Sequence, residues 1–209
     1  IAHAYMGTEE YKKAKKEILL ALKINDTDPQ AYNSLGIIND SDGNHIEAIE
    51  AYQKAIKLDP NNPETHLSLG MSYSDIKNYN EAIDSFKKSI AIMPKQETAL
   101  SLRTNIYNRL EKNELAIETY KKLVAVNPNN LSARKSLGLL YRINKEYDLA
   151  LDQYNEILRN IDPQNLDAKS KIAQIYNSQG KYKKAYEILK AIIPLAPNNK
   201  GLLSDTAFS

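Results

Sequence analysis

The chain has 209 residues, of which 42% are hydrophobic and 26% charged, and its formal net charge is +2. So small a net charge argues against binding to nucleic acid or an anionic membrane through a global field. The chain contains no cysteine, which excludes disulfides and thiolate metal sites. No apolar run approaches the roughly 20 residues that a membrane span needs.

The first predicted element is a helix within residues 1–28. The chain begins with Ile1 rather than methionine, and IAHAY reads as the interior of a helix. We therefore expect the natural protein to extend upstream, where any targeting segment would lie. The localisation stays open for this reason, with the cytoplasm slightly favoured for a chain that has no predicted transmembrane segment.

An alanine recurs along the chain about every 34 residues, and only the last interval is longer, by one residue. A large apolar residue stands four positions after each alanine, and a proline follows in five of the six copies. A fixed period of this length indicates stacked structural repeats. The alanines are Ala14, Ala48, Ala82, Ala116, Ala150 and Ala185.

Each period splits into two predicted helices joined by a polar turn. In the third copy Leu69 and Tyr73 are four residues apart, as one helix face requires. The sequence DIKNY then breaks the pattern, and a segment of the DPNNP type ends the second helix because proline disfavours helical geometry at the preceding residue. Asn62 and Asn130 are predicted to cap the helices that follow them.

Small residues recur where the two helices of a copy are predicted to cross. Gly36, Gly70 and Gly138 lie on first helices, and the recurring alanines lie on second helices. These residues let two backbones approach closely, while a neighbouring tyrosine or phenylalanine fills the remaining space. Neither helix can bury its apolar face alone, so the copies must stack on one another and leave a concave inner face.

This order of residues resembles the tetratricopeptide repeat, or TPR, whose unit has the same length of about 34 residues. The resemblance implies an all-α fold, a right-handed superhelical solenoid of antiparallel helix pairs, in one array over residues 1–209. We number the copies repeats 1 to 6. They cover a partial repeat at 1–28 that lacks most of its first helix and full repeats at 29–62, 63–96, 97–130, 131–165 and 166–199, with the start of a further helix at 200–209.

Three departures from the period predict local irregularities. In repeat 4 the usual leucine–glycine pair is replaced by Arg103 and Thr104, which indicates looser packing or, preferably, an arginine whose stem packs while its head reaches solvent. Repeat 5 has one extra residue in NEILRNIDPQ, which should lengthen or bulge the end of its second helix. In repeat 6 Pro194 should cut the second helix short.

The sequence offers no arrangement typical of catalysis. His45 and His66 occupy aromatic positions of the repeat, so we expect them to pack in the core, and His3 stands alone. No metalloprotease, nucleophile-elbow, phosphate-loop or dinucleotide motif occurs. No cluster of metal ligands and no basic stripe with interleaved aromatics is present. We therefore predict a protein that is not an enzyme, holds no cofactor or metal and binds no nucleic acid.

The resemblance implies that the inner face is lined by positions 2, 5, 9, 12 and 13 of each first helix. Apolar residues at these positions, including Ile37, Met71 and Ile143, indicate a surface for a protein partner. The two-carboxylate clamp of chaperone-tail-binding members is not supplied, since Asn105 and Lys171 are isolated matches. The candidate binding residues are Asn33, Ile37, Leu67, Met71, Asn105, Asn108, Arg109, Lys135, Leu139, Arg142, Gln174 and Asn177.

Charge at the predicted inner face is unevenly distributed along the chain. Asp40, Glu64 and Asp75 lie in repeats 2 and 3, whereas the cations lie in repeats 4 and 5. Because arginine grips a carboxylate with two parallel hydrogen bonds, the basic part predicts an anion site that takes an acidic segment of the partner. Its cations are Arg109, Lys135 and Arg142.

The leading hypothesis is a non-catalytic scaffold that binds a peptide or helix of a partner protein in its groove. One alternative is a substrate-recruiting arm of a longer enzyme, such as a glycosyltransferase. Another is a scaffold that assembles with itself through exposed repeat ends.

Overall fold

A computed structural model describes residues 2–195, with side chains from residue 11 onward, and every regular element in that range is helical. The further helix predicted at 200–209 lies outside the described residues. The α-helices are α1 Ala2–Ile24, α2 Pro29–Ser41, α3 His45–Leu58, α4 Pro63–Asp75, α5 Tyr79–Ile92, α6 Glu97–Arg109, α7 Asn113–Val126, α8 Leu131–Ile143, α9 Tyr147–Glu156, α10 Leu166–Ser178 and α11 Tyr182–Ile192.

The helices associate as successive pairs within two compact units, whose boundary falls between Ile106 and Tyr107. In the N-terminal unit α2 packs on α3 and α4 on α5, and α3 also contacts α4. In the C-terminal unit α8 packs on α9 and α10 on α11, and α9 contacts α10. The first helix of each of these repeats therefore packs on its own second helix and on the second helix of the preceding repeat.

The recurring alanines lie in the core, as their register predicts. Five of them, from Ala48 to Ala185, are fully buried, while Ala14 of repeat 1 is half-buried. The glycines of the first helices lie directly against aromatic rings of the second helices. A Cβ atom on Gly36 would lie 2.5 Å from Cε1 of Tyr52, and one on Gly138 would lie 2.9 Å from the ring of Tyr154. Close approach thus requires glycine where an aromatic ring fills the contact.

The predicted helix caps are present. Asn62 Oδ1 accepts hydrogen bonds from the backbone N–H groups of Glu64 and Thr65 at 3.0 and 3.1 Å. Asn130 Oδ1 accepts from the N–H of Ala133 at 2.9 Å. Asp28 and Asn165 cap α2 and α10 in the same way. These oxygens satisfy N–H groups that have no partner within their own helix.

The turn between the two helices of each full repeat contains one residue with a positive φ angle. Glycine occupies this position in two repeats, as Gly43 and Gly180, whereas the others have Lys77, Glu111 and Lys145, with φ between 54 and 62°. The left-handed region is strained for residues that carry a Cβ atom. The same conformation therefore occurs at this position of the repeat even where the residue there does not favour it.

The extra residue of repeat 5 is accommodated by a π-helical turn at Ile157–Ile161, which confirms the predicted bulge. The N–H of Asp162 donates to the carbonyl oxygen of Ile157 at 2.8 Å and closes the wider ring. Pro194 also acts as predicted, because α11 ends at Ile192 and a 3₁₀ turn follows at Ile193–Leu195.

Two other expectations need correction. Arg103 is only 7% exposed, so its side chain is far more buried than the predicted snorkelling implies. Thr104 beside it is fully buried, and its Oγ1 donates to the carbonyl oxygen of Leu100 at 2.7 Å. In repeat 1 we expected the end of a first helix followed by a second helix. The structure instead has one continuous helix, α1, from Ala2 to Ile24.

Candidate functional site

Exposed apolar side chains recur at one position of the first helices. Ile37 is 46% exposed on α2, Met71 is 44% exposed on α4 and Leu139 is 39% exposed on α8. Each follows directly after a buried glycine whose Cα lies against an aromatic ring of the second helix. Because one residue turns the helix by about 100°, the next side chain points away from that contact. Within each compact unit, we call the surface that carries such residues the first-helix face of that unit.

Leu67 is the exception among the predicted apolar residues of this face. It is only 9% exposed, so the expectation that its side chain faces solvent is wrong. Its helix, α4, also contacts α2 of the preceding repeat, in addition to α3 and α5. The packing of α4 against three other helices accords with this burial. Ile143 of α8, by contrast, is 53% exposed.

The polar candidates of the N-terminal unit have different environments. Asn33 Oδ1 is buried and has no hydrogen-bond partner among the residues that the structure describes, whereas Asn105 is exposed. Glu64 accepts a hydrogen bond from Nε2 of Gln96 at 3.0 Å, which ties α4 to the segment before α6. Asp75 is exposed at the end of α4. The acidic groups predicted for this face are thus partly used in internal contacts.

Asp40 is the clearest case, because its carboxylate accepts three side-chain hydrogen bonds. The donors are Nδ1 of His45 at 3.0 Å, the hydroxyl of Tyr52 at 3.0 Å and Oγ of Ser72 at 2.7 Å. Burial raises the pKa of Tyr52, and the neighbouring negative charge of Asp40 adds to that rise. These bonds link α2 to α3 and to α4, so Asp40 stabilises the packing of repeats 2 and 3.

This cluster of histidine, aspartate and serine does not have the geometry of a nucleophilic site. A catalytic serine donates its proton to the imidazole, whereas Ser72 here donates to the carboxylate of Asp40. Ser72 is also fully buried. His66, buried at the start of α4, hydrogen-bonds through Nε2 to the carbonyl oxygen of Pro60 at 2.9 Å, as expected for a histidine that packs in the core.

In the C-terminal unit most polar candidates have partners. Asn108 Nδ2 donates to the hydroxyl of Tyr120 at 2.6 Å, and Lys135 Nζ lies 2.8 Å from Oδ2 of Asp167. Gln174 Oε1 accepts from Nζ of Lys171 at 3.3 Å. Arg109 is exposed and Arg142 is half-buried, while Oδ1 of Asn177 is buried without a hydrogen-bond partner among the described residues.

The sequence pattern did not predict a crevice of about 490 Å³ between α9, α10 and α11. Leu158, Ile172 and Ile188 contribute to its largely apolar lining. A crevice of about 320 Å³ lies between α3, α4 and α5, with Ser85 and Lys88 among its lining residues. An alignment of the repeats reveals why the first crevice is the more apolar one. Ile188 and Ala191 of repeat 6 stand at the positions that Ser85 and Lys88 occupy in repeat 3.

Family models for the tetratricopeptide repeat match most of the chain. Models described as "Tetratricopeptide repeat" match residues 1–28, 63–96, 105–165 and 141–203, and one described as "TPR repeat" matches 41–77. The chain belongs to the TPR family. The all-α TPR fold predicted from the period is therefore confirmed, and every family model that matches is a repeat model.

Several solved TPR structures are similar over most of this TPR chain. A crystal structure of MamA protein has 29% sequence identity and a TM-score of 0.66, and the match covers 81% of this chain and 92% of that one. YrrB, described as a TPR protein with an unusual peptide-binding site, has 24% identity and a TM-score of 0.73, with 91% and 97% covered. Pseudomonas aeruginosa pilF has 19% identity and a TM-score of 0.62, with 99% and 93% covered.

At identities as low as those of YrrB and pilF, the likeness establishes the fold alone. Among curated proteins, none matches the chain. Of the helices that the structure describes, none combines the length and the apolar character needed to cross a bilayer. Within the same residues, no group of three or more histidines or carboxylates is placed to hold a metal ion.

Proposed function

We propose that this TPR protein is a non-catalytic scaffold whose first-helix faces bind an extended segment or a helix of a partner protein. The observation that carries the proposal is the recurrence of exposed Ile37, Met71 and Leu139 after the buried glycines. The packing of the helix pairs leaves these side chains exposed, although it buries the glycine directly before each of them. A partner segment would bury them at a gain of about 25 cal/mol per Å² of apolar surface.

The rigidity of the helix pairs favours such binding. The first-helix face is held by packed alanines and glycines and by capped helices, so its side chains are already in place before a partner arrives. A preorganised surface loses little conformational entropy on binding. The description of YrrB as having a peptide-binding site supports the same kind of ligand for a protein of this fold. The alternative of self-association stays a prediction.

The test begins with selection of peptides from a random displayed library on the immobilised chain. Calorimetric titration of the selected peptides then compares the unaltered chain with three variants of the first-helix face, Ile37→Ser, Met71→Ser and Leu139→Ser. We expect each peptide to lose about fivefold in affinity with at least one variant, because an exposed apolar side chain contributes on the order of 1 kcal/mol when a partner buries it.

Two matched control variants come from the second helices. Ile46 is 57% exposed on α3 and Leu149 is 45% exposed on α9, so serine there removes as much exposed apolar surface outside the first-helix face. We expect Ile46→Ser and Leu149→Ser to leave peptide affinity unchanged. If these controls weaken binding while the variants of the first-helix face do not, the binding surface lies on the second helices and the proposal is wrong.

A further inference from the structure

Arg142 is a cation that lacks an acidic partner among the described residues. Its side chain is half-buried on α8, and its Nε–H is buried without a hydrogen-bond acceptor. Two other basic residues of the C-terminal unit have an acidic partner, since Lys135 lies 2.8 Å from Asp167 and Arg159 lies 2.9 Å from Glu156. An unpaired charge at a partly desolvated position is costly unless an anion neutralises it.

Arg142 lies close enough to Tyr154 for its positive charge to act on the phenol. Tyr154 is buried behind α8, and its hydroxyl faces the carbonyl oxygen of Lys135 at 3.4 Å. Burial raises the pKa of Tyr154 to about 12, the charge of Arg142 works against that rise and the charge of Asp167 adds to it. Asp167, whose charge also acts on this hydroxyl, is bound by Lys135 at 2.8 Å.

Exposed apolar side chains flank the cation on the same helix. Leu139 lies three residues before Arg142 and therefore on the same side of α8, while Ile143 follows it directly and is 53% exposed. The surface thus offers one positive charge beside an apolar patch.

We propose that Arg142, together with Leu139 and Ile143, forms a subsite for a carboxylate that is adjacent to an apolar side chain in a bound peptide. This inference rests on the proposed function and names the chemistry of its ligand. The planar guanidinium group can donate two parallel hydrogen bonds to one carboxylate.

Three synthetic peptides distinguish the presence and the source of the carboxylate. Acetyl-Leu-Glu-Leu-amide carries it on a side chain, acetyl-Leu-Gln-Leu carries it at the C-terminus and acetyl-Leu-Gln-Leu-amide carries none. The readout is the Nε–Hε resonance of Arg142 in a proton–nitrogen correlation spectrum, which is readily assigned because arginines are few in the chain. We expect a saturable shift with at least one carboxylate peptide and none with the neutral peptide.

A pair of charge-matched variants tests the role of the cation. We expect Arg142→Gln to weaken binding of the carboxylate peptide about tenfold, which is the scale of one charge-assisted hydrogen bond. Arg159→Gln removes the same charge from an exposed residue paired with Glu156 and should leave the affinity unchanged. Circular dichroism and urea unfolding establish that both variants keep the fold.

The outcomes separate this subsite from the proposed function. If the neutral peptide binds as well as the charged ones and Leu139→Ser still weakens it, the subsite is wrong and the peptide-binding face stands. If no peptide, including those from the displayed library, binds to the first-helix face, both proposals are wrong. Equal loss in Arg142→Gln and Arg159→Gln points to a general effect of charge and also overturns the subsite.

Discussion

Gly70→Ala is a sharp test of the packing that holds each helix pair together. The added Cβ would lie 2.6 Å from Cε1 and 2.7 Å from Cδ1 of Phe86. Favourable carbon contacts begin at about 3.5 Å, so the ring or the backbone has to move by nearly an ångström. Phe86 is fully buried, so any movement of its ring displaces neighbouring core side chains.

Two opposing effects set the size of the change. Alanine is better than glycine in a helix interior by about 1 kcal/mol, whereas overpacking a filled core costs about 1–3 kcal/mol. We expect Gly70→Ala to lower the free energy of unfolding by about 1 kcal/mol after these effects are combined. In a Phe86→Leu background the smaller side chain gives the methyl group room, and the same substitution should then stabilise the protein.

The assay is a double-mutant cycle measured by urea unfolding with circular dichroism. The expected coupling energy between positions 70 and 86 is about 2 kcal/mol, well above the few tenths found for independent sites. Gly138→Ala serves as a graded comparison, because a methyl group added there would lie 2.9 Å from the nearest ring atom of Tyr154 and a smaller cost follows. A coupling below about 0.5 kcal/mol would refute the reasoning.

Three further predictions concern caps, turns and a buried tyrosine. Asn62→Ala should lower the free energy of unfolding by about 1 kcal/mol because two N–H groups of α4 lose their acceptor; urea unfolding with Asn62→Asp, which keeps the oxygen, as a control measures this. Lys77→Gly should stabilise by roughly 0.5–1 kcal/mol by relieving a φ angle of 62°, whereas Gly43→Ala should destabilise by a similar amount; equal effects of both in unfolding experiments would contradict this. The pKa of Tyr154 is raised from 10.0 to about 12 in the folded chain. Between these two pH values the unfolded chain releases the proton while the folded chain keeps it, so the free energy of unfolding falls as the pH rises. Below pH 10 the group has no effect, and above pH 12 the loss is complete. Urea unfolding across that range should therefore show a weaker pH dependence in Tyr154→Phe, and identical profiles would rule out the raised pKa.

The helix pairs could be predicted from the sequence because their determinants are local and repeated. An alanine about every 34 residues and a large apolar residue four positions later define one packed face. An asparagine before a first helix, such as Asn62, acts within three residues of its own position. The insertion in repeat 5 was visible as a break in the period, and Pro194 ends α11 through its own ring.

Features that depend on contacts between distant residues could not be read in this way. Asp40 and Ser72 are far apart in the sequence, and only the packing of α2 on α4 makes their 2.7 Å hydrogen bond. Leu67 is buried although its position in the repeat predicts exposure, and the pattern of its own helix does not reveal that burial. The positive φ angle at Lys77 could not be predicted from the local sequence, because lysine has no preference for that conformation. Only its alignment with Gly43 and Gly180 indicates the left-handed conformation.

The repeated positions and the proposed binding positions have opposite constraints. A residue such as Gly70 touches a buried ring, so the fold allows little variation there. The next residue, Met71, is exposed and free to differ from one repeat to another, and the corresponding residues are Ile37, Asn105, Leu139 and Gln174. Partner choice should therefore depend on positions that the period does not fix. This is the physical reason why a strong repeat predicts a fold far more sharply than it predicts a ligand.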